Sequence, residues 1–271
     1  MKFKIDHDYH IHSFLSECSS DSEQNKDRIL AYAKENGLSS ICITDHHWDE
    51  DVKGVIDFEW YRGTGYDHIS KIKPLPKEDG IEFLFGCEAD MDMNFTFGIS
   101  EGRLGDYDFI VASTTHMHMP DFTIAKEDMG NPEVSARLWV ERFEALLSKP
   151  LPFYKMGIAH LACGLINCVS REAYLKTLSL ISDKDMERLF AEAARTGIGI
   201  ELNQSDMIFT EAEKDTVLRP FRIAKSLGCR FYLGSDAHHP EKFQYTKEIF
   251  ERAVALLDLT ENDKFHIGKR V

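Results

Sequence analysis

The sequence predicts an α/β protein in which a parallel sheet closes into a barrel surrounded by helices. Short apolar runs alternate with amphipathic segments along the 271 residues, an order typical of parallel strands joined by helices. The apolar runs are largely continuous, as expected for strands that are buried on both faces. Because about seven such units follow one another without an interdomain linker, we expect residues 1–271 to form one domain.

The predicted strands and helices follow from these runs. The strands are Lys4–His12, Ser40–Asp45, Glu82–Cys87, Phe109–Ser113, Lys155–His160, Ile198–Asn203 and Phe231–Ser235. The helices are Lys26–Asn36, Glu133–Leu147, Asp183–Arg195, Thr216–Leu227 and Pro240–Leu257. Gly37 and Gly197 each follow a predicted helix and are suited to end it, and Ser182 is suited to begin the helix at Asp183.

The segment Trp48–Asp79 interrupts the alternation. It is rich in Gly, Asp and Tyr and contains Pro74 and Pro76, so we expect a long loop with short helical turns. Long loops in compact domains often cover or bind ligands. We therefore expect substrate discrimination to depend on this loop and on Met117–Pro132.

Composition limits the class of protein and its partners. A hydrophobic fraction of 43% is ordinary for a globular chain, and a formal net charge of −14 disfavours long nucleic acids and anionic membranes as partners. No apolar run is long enough to span a bilayer, and the charged N-terminus lacks the apolar core of a signal peptide. The six cysteines form no CxxC pair. We expect a cytoplasmic protein without a disulfide framework.

Histidines and acidic residues are concentrated where the predicted strands end. The strand ends carry, in order, His10 and His12; Asp45, His46 and His47; Glu88; His116 and His118; His160; Glu201 and Asn203; and Asp236, His238 and His239. In a parallel barrel these ends form one face, where catalytic loops gather. Imidazoles and carboxylates that converge on one face are the ligands of divalent metal ions. The sequence therefore predicts a metal centre.

Several of these residues also form short motifs that resemble a known family. The motifs are HIH at 10–12, TDH at 44–46, Glu88, His116, AHL at 159–161 and SDAH at 235–238. In this order they resemble the polymerase and histidinol phosphatase (PHP) superfamily of metal-dependent phosphoesterases, and most closely its stand-alone, histidinol-phosphatase-like branch. The resemblance implies a distorted (β/α)7 barrel with two or three divalent ions, which are zinc, iron or manganese.

The resemblance also implies how the ligands divide among three metal positions. The first position would use His10, His12, Glu88 and Asp236. The second would use His46, His238 and a ligand from the loop after HIH. The third would share Glu88 and add His116 and His160.

The loop ligand is where this chain departs from the family pattern. Many relatives have His or Asp six residues after the second histidine, and this chain has Cys18 there, with Glu17 before it and Asp21 nearby. A thiolate suits zinc, and a carboxylate suits manganese or iron better. The sequence leaves Glu17, Cys18 and Asp21 open for the second position, and it leaves His118 open as the alternative to His116.

The predicted chemistry is hydrolysis of a phosphate ester by a metal-activated hydroxide. Asp236 and His238 are the candidate catalytic residues that protonate the leaving group. The predicted substrate is a small phosphorylated molecule, with histidinol phosphate as a candidate. A phosphodiesterase or nuclease acting on nucleotides or oligonucleotide ends is an alternative, and a non-catalytic metal-binding module is another. Arg137 and Arg171 are candidates for binding the phosphate, although a helix-surface charge is the more expected role of either.

Overall fold

The computed structural model describes residues 1–19, 21–54 and 59–268. Within these ranges the chain forms a parallel sheet. Its strands are β1 (His7–Ile11), β2 (Ser40–Ile43), β3 (His46–His47), β4 (Glu82–Asp90), β5 (Phe109–Ser113), β6 (Met156–Ile158), β7 (Gly199–Asn203) and β8 (Arg230–Gly234). They are arranged in the order β1-β2-β4-β5-β6-β7-β8, and β3, which resumes the path of β2 after two residues, pairs with β4.

The two outer strands of this order meet and nearly close the sheet into a barrel. The amide of Asp236, just after β8, donates to the carbonyl of His10 in β1 at 2.7 Å. The amide of His12 donates to the carbonyl of Ala237 at 3.1 Å. The carboxyl ends of the parallel strands therefore lie on one face. The predicted distorted (β/α)7 barrel is confirmed.

Helices cover the outside of the barrel. They are α1 (Lys26–Asn36), α2 (Tyr66–Ile69), α3 (Pro132–Leu147), α4 (Arg171–Leu180), α5 (Asp183–Thr196), α6 (Lys214–Ser226) and α7 (Thr246–Leu256). The expected helix ends are present: Gly37 and Gly197 end α1 and α5 with φ of 67° and 80°, and the Ser182 side chain accepts from the Asp185 amide.

Large side chains fill the barrel interior. At Gly157 they leave no room for a residue bulkier than glycine. Tyr232 of β8 packs with Phe109 of β5 in this interior cluster. A Cβ atom at Gly157 in β6 would overlap the ring of Tyr232. Glycine at this position therefore allows the ring to cross the barrel.

Three parts of the fold differ from the sequence prediction. The helix α4 was not predicted, although it buries Tyr174 and Leu178, four residues apart, and Ser170 caps its start. The predicted helix Pro240–Leu257 divides into a 3-10 helix, Pro240–Tyr245, and α7. The second predicted strand, Ser40–Asp45, ends at Ile43, and the pairing resumes at His46, which the sequence analysis had placed beyond it.

The long loop Trp48–Asp79 contains the expected short helical turns. They are a 3-10 helix at Glu59–Tyr61, α2, and a 3-10 helix at Ser70–Ile72. Residues 55–58 of this loop lie outside the described part of the chain. A search of the described residues finds no helix with the length and apolarity needed to cross a bilayer.

Candidate metal centre

The face formed by the strand ends brings most of the predicted ligands together. Three groups have ligand atoms that all lie within 4.8 Å of one another. They are His10, His12, Glu88 and Asp236; Glu88, His116 and His160; and His12, Cys18, His46 and His238. Glu17 is exposed and belongs to none of them. Nine of the ten predicted ligands therefore fall within three overlapping groups.

The first group has its donor atoms turned toward one point. The two Nε2 atoms of His10 and His12 are 3.1 Å apart, and each is 3.3 Å from Oε2 of Glu88. Oδ1 of Asp236 lies 3.5 Å from Nε2 of His10 and 3.2 Å from Nε2 of His12. A single proton cannot satisfy four converging acceptors, whereas a cation between them can.

Glu88 connects the first group to the group of His116 and His160. Its Oε1 lies 3.0 Å from Nε2 of His160 and 3.7 Å from Nε2 of His116. Its Oε2 faces His10 and His12 instead. The carboxylate therefore has one oxygen for each group, which is the geometry of a bridging ligand.

The remaining group places a thiol beside two histidines. Cys18 lies in the segment after β1, and His46 and His238 follow β2 and β8. His12 is also within reach, but its Nε2 already faces Glu88 and Asp236. The ligands that remain for a separate ion are Cys18, His46 and His238, and the ring stacking of His238 on His12 at 3.9 Å keeps the two groups adjacent.

Hydrogen bonds that Nδ1 donates orient five of the histidines. Nδ1 of His10 donates to Glu201 at 2.7 Å, and Nδ1 of His116 donates to Asp90 at 3.0 Å. The corresponding acceptors are Ser16 Oγ for His12, Thr115 Oγ1 for His160 and the carbonyl of Asp236 for His238. Donation through Nδ1 leaves the Nε2 lone pair facing the cluster, as in histidines that bind metals.

Other side chains fix these acceptors in turn. Asp45 accepts from the Ser13 amide at 2.6 Å and from Ser16 Oγ at 2.8 Å, so the serine hydroxyl is held toward His12. Glu201 also accepts from the amide of His160. A Cβ atom at Gly234 would overlap Glu201. Glu201 and Asp45 therefore orient ligands, although the sequence had placed both among the strand-end residues of the metal face.

The backbone conformation of two of these residues is also unusual. His160 and Asp236 have φ angles of 32° and 54°, which non-glycine residues rarely adopt. Such strained positions persist where surrounding contacts determine the geometry, and they cluster at functional sites. Both residues lie two positions after a short buried strand, and both contribute donor atoms to the three groups.

The charges of the cluster are strongly coupled. Burial lowers the pKa of His10, but the carboxylates of Glu201, Asp236 and Glu88 together raise it well above the usual value. Burial raises the pKa of Asp236, but His10 and His12 hold it well below its ordinary range. Burial, together with the charge of nearby histidines such as His12, lowers the pKa of His46. The site thus contains ionised carboxylates in a buried environment.

Two buried atoms indicate that a cation fits here. Nδ1 of His46 and Oε2 of Glu88 lie 3.1 Å apart, but neither atom makes a hydrogen bond among the described residues. Unsatisfied buried polar atoms are costly, and a divalent cation would satisfy both. Imidazole suits zinc and iron, thiolate suits zinc, and carboxylate suits manganese, so the donor set fits divalent ions of this kind.

Several residues that the sequence left open lie outside the three groups. Nε2 of His47 lies near Asp49 and the Tyr107 hydroxyl, and Asp21 pairs with the exposed His239. His118 lies beside the centre, with its ring 5.3 Å from that of His116. The arginines proposed to bind phosphate are elsewhere: Arg137 pairs with Glu141, and Arg171 pairs with Glu213.

A pocket opens above the centre. Its volume is about 370 Å³, and its lining comprises Cys18, His46, Trp60, His116, His118, Met119, Leu165, Asp236 and His238. The side chains of Asp236 and His238 are 18% and 27% exposed, whereas those of His10 and His12 are fully buried. Among the imidazoles and carboxylates of the three groups, Asp236 and His238 are therefore the most accessible from the pocket.

Sequence reasoning missed four residues around this centre. Asp90 was detectable, because it lies two residues after Glu88 and alternate residues of a strand share a face. Ser16, Thr115 and Trp60 carried no such signal, since a hydroxyl or an indole in a loop has many other uses. Their roles depend on how loops fold back over the strand ends.

Comparison with known proteins agrees with this geometry. Residues 8–205 match the sequence pattern of the PHP domain. The chain is 25% identical over 213 residues to a protein named "probable phosphatase" from Caldicellulosiruptor saccharolyticus, which covers 78% of this chain and 72% of that one. A second protein of that name, from Caldicellulosiruptor bescii, is 24% identical over 231 residues, covering 85% and 78%.

A solved structure shares the fold. Histidinol phosphate phosphatase from Lactococcus lactis subsp. lactis, complexed with zinc, L-histidinol and phosphate, aligns with a TM-score of 0.58 at 17% identity. The alignment covers 96% of this chain and 94% of that one. The match to the PHP domain spans most of the chain and includes the motifs from His10 to His160, and this protein therefore belongs to the PHP domain family.

Proposed function

We propose that the chain is a metal-dependent phosphoesterase that hydrolyses a small phosphomonoester, with histidinol phosphate as a candidate substrate. The observation that carries the proposal is the position of Glu88, whose two oxygens face two separate sets of histidines next to a pocket that His46, His116 and Asp236 line. The relatives named "probable phosphatase" support the reaction class. The zinc, histidinol and phosphate of the structural relative support the kind of ligand.

The proposed ligand sets follow the three groups. The first ion would be held by His10, His12, Glu88 and Asp236, and the third by Glu88, His116 and His160. The second would be held by Cys18, His46 and His238, so we do not include Glu17. Divalent ions bound at these positions would supply hydroxide from water near neutral pH and would neutralise charge on phosphoryl oxygens.

The protein's own groups orient the reactants and move the proton. The buried imidazoles and Glu88 hold the donor atoms of the three groups in place beside the pocket. Asp236 and His238 are the most accessible carboxylate and imidazole of these groups. Asp236 is ionised and Nε2 of His238 carries a lone pair, so neither holds a proton at the outset. We assign them the uptake of the proton released by the attacking water and its transfer to the ester oxygen of the leaving group, which requires contact with that oxygen.

The pocket supports a monoester more than a nucleic acid. Its volume of about 370 Å³ lies at the low end of the range for small-molecule sites, roughly 300–1,000 Å³. Its lining residues in the described part of the chain include neither Lys nor Arg. A strand of nucleic acid requires a groove with positive charge along its backbone.

A panel of substrates tests the proposal. The protein is stripped with a chelator, reloaded with zinc, manganese or ferrous iron, and assayed for phosphate release. We expect turnover of phosphomonoesters, including histidinol phosphate, to exceed that of bis(p-nitrophenyl) phosphate by at least about tenfold. Faster cleavage of the diester, or the same phosphate release before and after reloading, would contradict the proposal.

A further inference from the structure

One side of the pocket is formed by side chains that no metal position uses. Trp60, Met119 and Leu165 line it together and are here called the apolar wall. They come from three separate segments: the long loop, the segment after β5 and the 3-10 helix Gly164–Ile166. Met119 is buried, and Trp60 and Leu165 are half-buried. An apolar surface this close to a cluster of ionisable groups requires an explanation.

The apolar wall begins directly beside the metal centre. The ring of Trp60 lies edge-on to that of His46, with centroids 4.8 Å apart. Phosphate bound at the base of the pocket would lie near His46, Asp236 and His238. The substituent on its ester oxygen must then extend away from the base, and the apolar wall is the surface on that path.

The apolar wall is held in place by its neighbours. The ring of Trp60 packs edge-on against that of Tyr61 at 4.6 Å, and Tyr61 packs against Phe122 at 5.3 Å. Met119 belongs to the same aromatic cluster. The amide of Met117 donates to the Leu165 carbonyl at 3.2 Å, which joins the two other segments. A preformed surface binds a ligand without the cost of ordering it.

Charge in the pocket restricts what this surface can bind. The described lining residues include no cationic Lys or Arg side chain, and the whole chain has a net charge of −14. A second phosphate or a carboxylate on the leaving group would be desolvated against Trp60, Met119 and Leu165 without a partner. A sugar would likewise lose hydrogen bonds to water. A flat hydrocarbon ring makes no hydrogen bonds to water that it could lose, and it would pack against the indole of Trp60.

We propose that the apolar wall makes the enzyme selective for phosphomonoesters whose alcohol carries an uncharged flat ring of about phenyl size. The proposal rests on the proposed phosphomonoesterase function and adds the class of leaving group. Trp60 is the specificity residue, because it offers the largest ring on the wall and lies next to His46.

Three esters of alkyl alcohols test the preference, since their leaving groups have similar reactivity. They are benzyl phosphate, glycerol 3-phosphate and 3-phosphoglycerate. With the metal-loaded protein we expect kcat/KM for benzyl phosphate to exceed that for either other ester by about tenfold or more. The expected ratio corresponds to the free energy gained when one aromatic ring is buried. Equal or higher kcat/KM for glycerol 3-phosphate would overturn the inference while leaving the phosphomonoesterase function intact.

Two substitutions locate the preference on the apolar wall. Trp60→Ala should lower kcat/KM for benzyl phosphate by about tenfold, mainly through KM, and change that for glycerol 3-phosphate by less than about threefold. Leu165→Ala, on a different segment, should cause a smaller loss of the same kind, and it serves as the test if the Trp60 variant does not fold. Tyr245→Ala is the matched control, because Tyr245 is an aromatic residue that lies outside the pocket and is 58% exposed.

Binding of unreactive analogues separates recognition from catalysis. Calorimetry of the metal-loaded protein should give about tenfold tighter binding of benzylphosphonate than of methylphosphonate, and Trp60→Ala should remove most of that ratio. If the two phosphonates bind equally to the unaltered protein, the inference is wrong. If the protein binds neither phosphonate and hydrolyses none of the three esters, the proposed function itself fails, and the inference fails with it.

Discussion

Asp90 accepts a hydrogen bond from Nδ1 of His116 at 3.0 Å, deep in the barrel and one alternate strand position after Glu88. The hydroxyl of Tyr61, from the long loop, donates to the same carboxylate. Asp90 therefore fixes the imidazole whose Nε2 faces Glu88, and it connects the loop over the pocket to the proposed third metal position.

Asp90→Asn should weaken the third metal position selectively. The substitution preserves shape but removes the negative charge that orients His116, and partners of this kind typically contribute about 10–100-fold in metal affinity or activity. We expect calorimetric titration with manganese to show one weakened site and the others unchanged. Asp79→Asn, at an exposed position, is the control. Equal metal affinities in the two variants would show that Asp90 does not position His116.

Asp236→Asn should nearly abolish phosphate release while the fold persists. The substitution removes a negative charge from the proposed first metal position, where loss of a ligand should cost more than the roughly 100-fold seen for orienting partners. Asp258→Asn is a matched control, because Asp258 is exposed and has a φ of 48°, close to the 54° of Asp236. Steady-state assays at saturating manganese, with circular dichroism for folding, measure the effect. Substantial activity in a folded, metal-loaded Asp236→Asn protein would contradict the assignment.

Cys18→Ser should change which metal the second position prefers. Thiolate ligands favour zinc over manganese, and a hydroxyl does not. Although Cys18 is exposed as a residue, desolvation of its thiol and the nearby carboxylates of Glu88 and Asp236 raise the thiol pKa, so the thiolate needs a cation beside it. We expect the ratio of zinc to manganese affinity to fall by about tenfold or more. Cys168→Ser removes another exposed cysteine outside the three groups and should leave the ratio unchanged. An unchanged ratio in Cys18→Ser would exclude Cys18 as a ligand.

Metal binding should compete with protons. In the ion-free protein the pKa of His10 is raised by Glu201, Asp236 and Glu88 despite burial, so this histidine stays protonated above about pH 6.5, where a free imidazole has lost its proton. An ion must displace that proton, so affinity should rise with pH until His10 is deprotonated and fall at lower pH. Calorimetry in buffers of different ionisation enthalpy should detect proton release. Metal affinity that is independent of pH would contradict this coupling.

Much of the barrel was predictable from two local signals, which are continuous apolar runs in the strands and glycines at the helix ends. Continuous apolar runs located β5 without error, and Gly37 and Gly197 located two helix ends. The helix α4 was missed although Ser170 is a local signal for its start, and the break between β2 and β3 was missed because pairing with β4 rather than local pattern decides it. The pairing of His46 with Glu88 across β3 and β4 depends on that break.

The site was predictable as far as strand ends determine it. Glu88, His160 and Asp236 follow or end buried strands, and parallel topology alone brings them to one face. Cys18 stayed uncertain against Glu17, because the path of the segment after β1 decides which side chain turns inward. The positions of Trp60 and Tyr61 over the pocket depend on packing of the long loop, which carries no regular periodicity.

The most direct test of the account is to titrate ion-free protein with manganese or zinc while both bound metal and phosphate release are measured. The account predicts no turnover without metal, at least two ions bound per chain, and activity on a small phosphomonoester that rises as the proposed positions fill. Less than one ion per chain after reconstitution, or full activity in protein that elemental analysis shows to be metal-free, would contradict it.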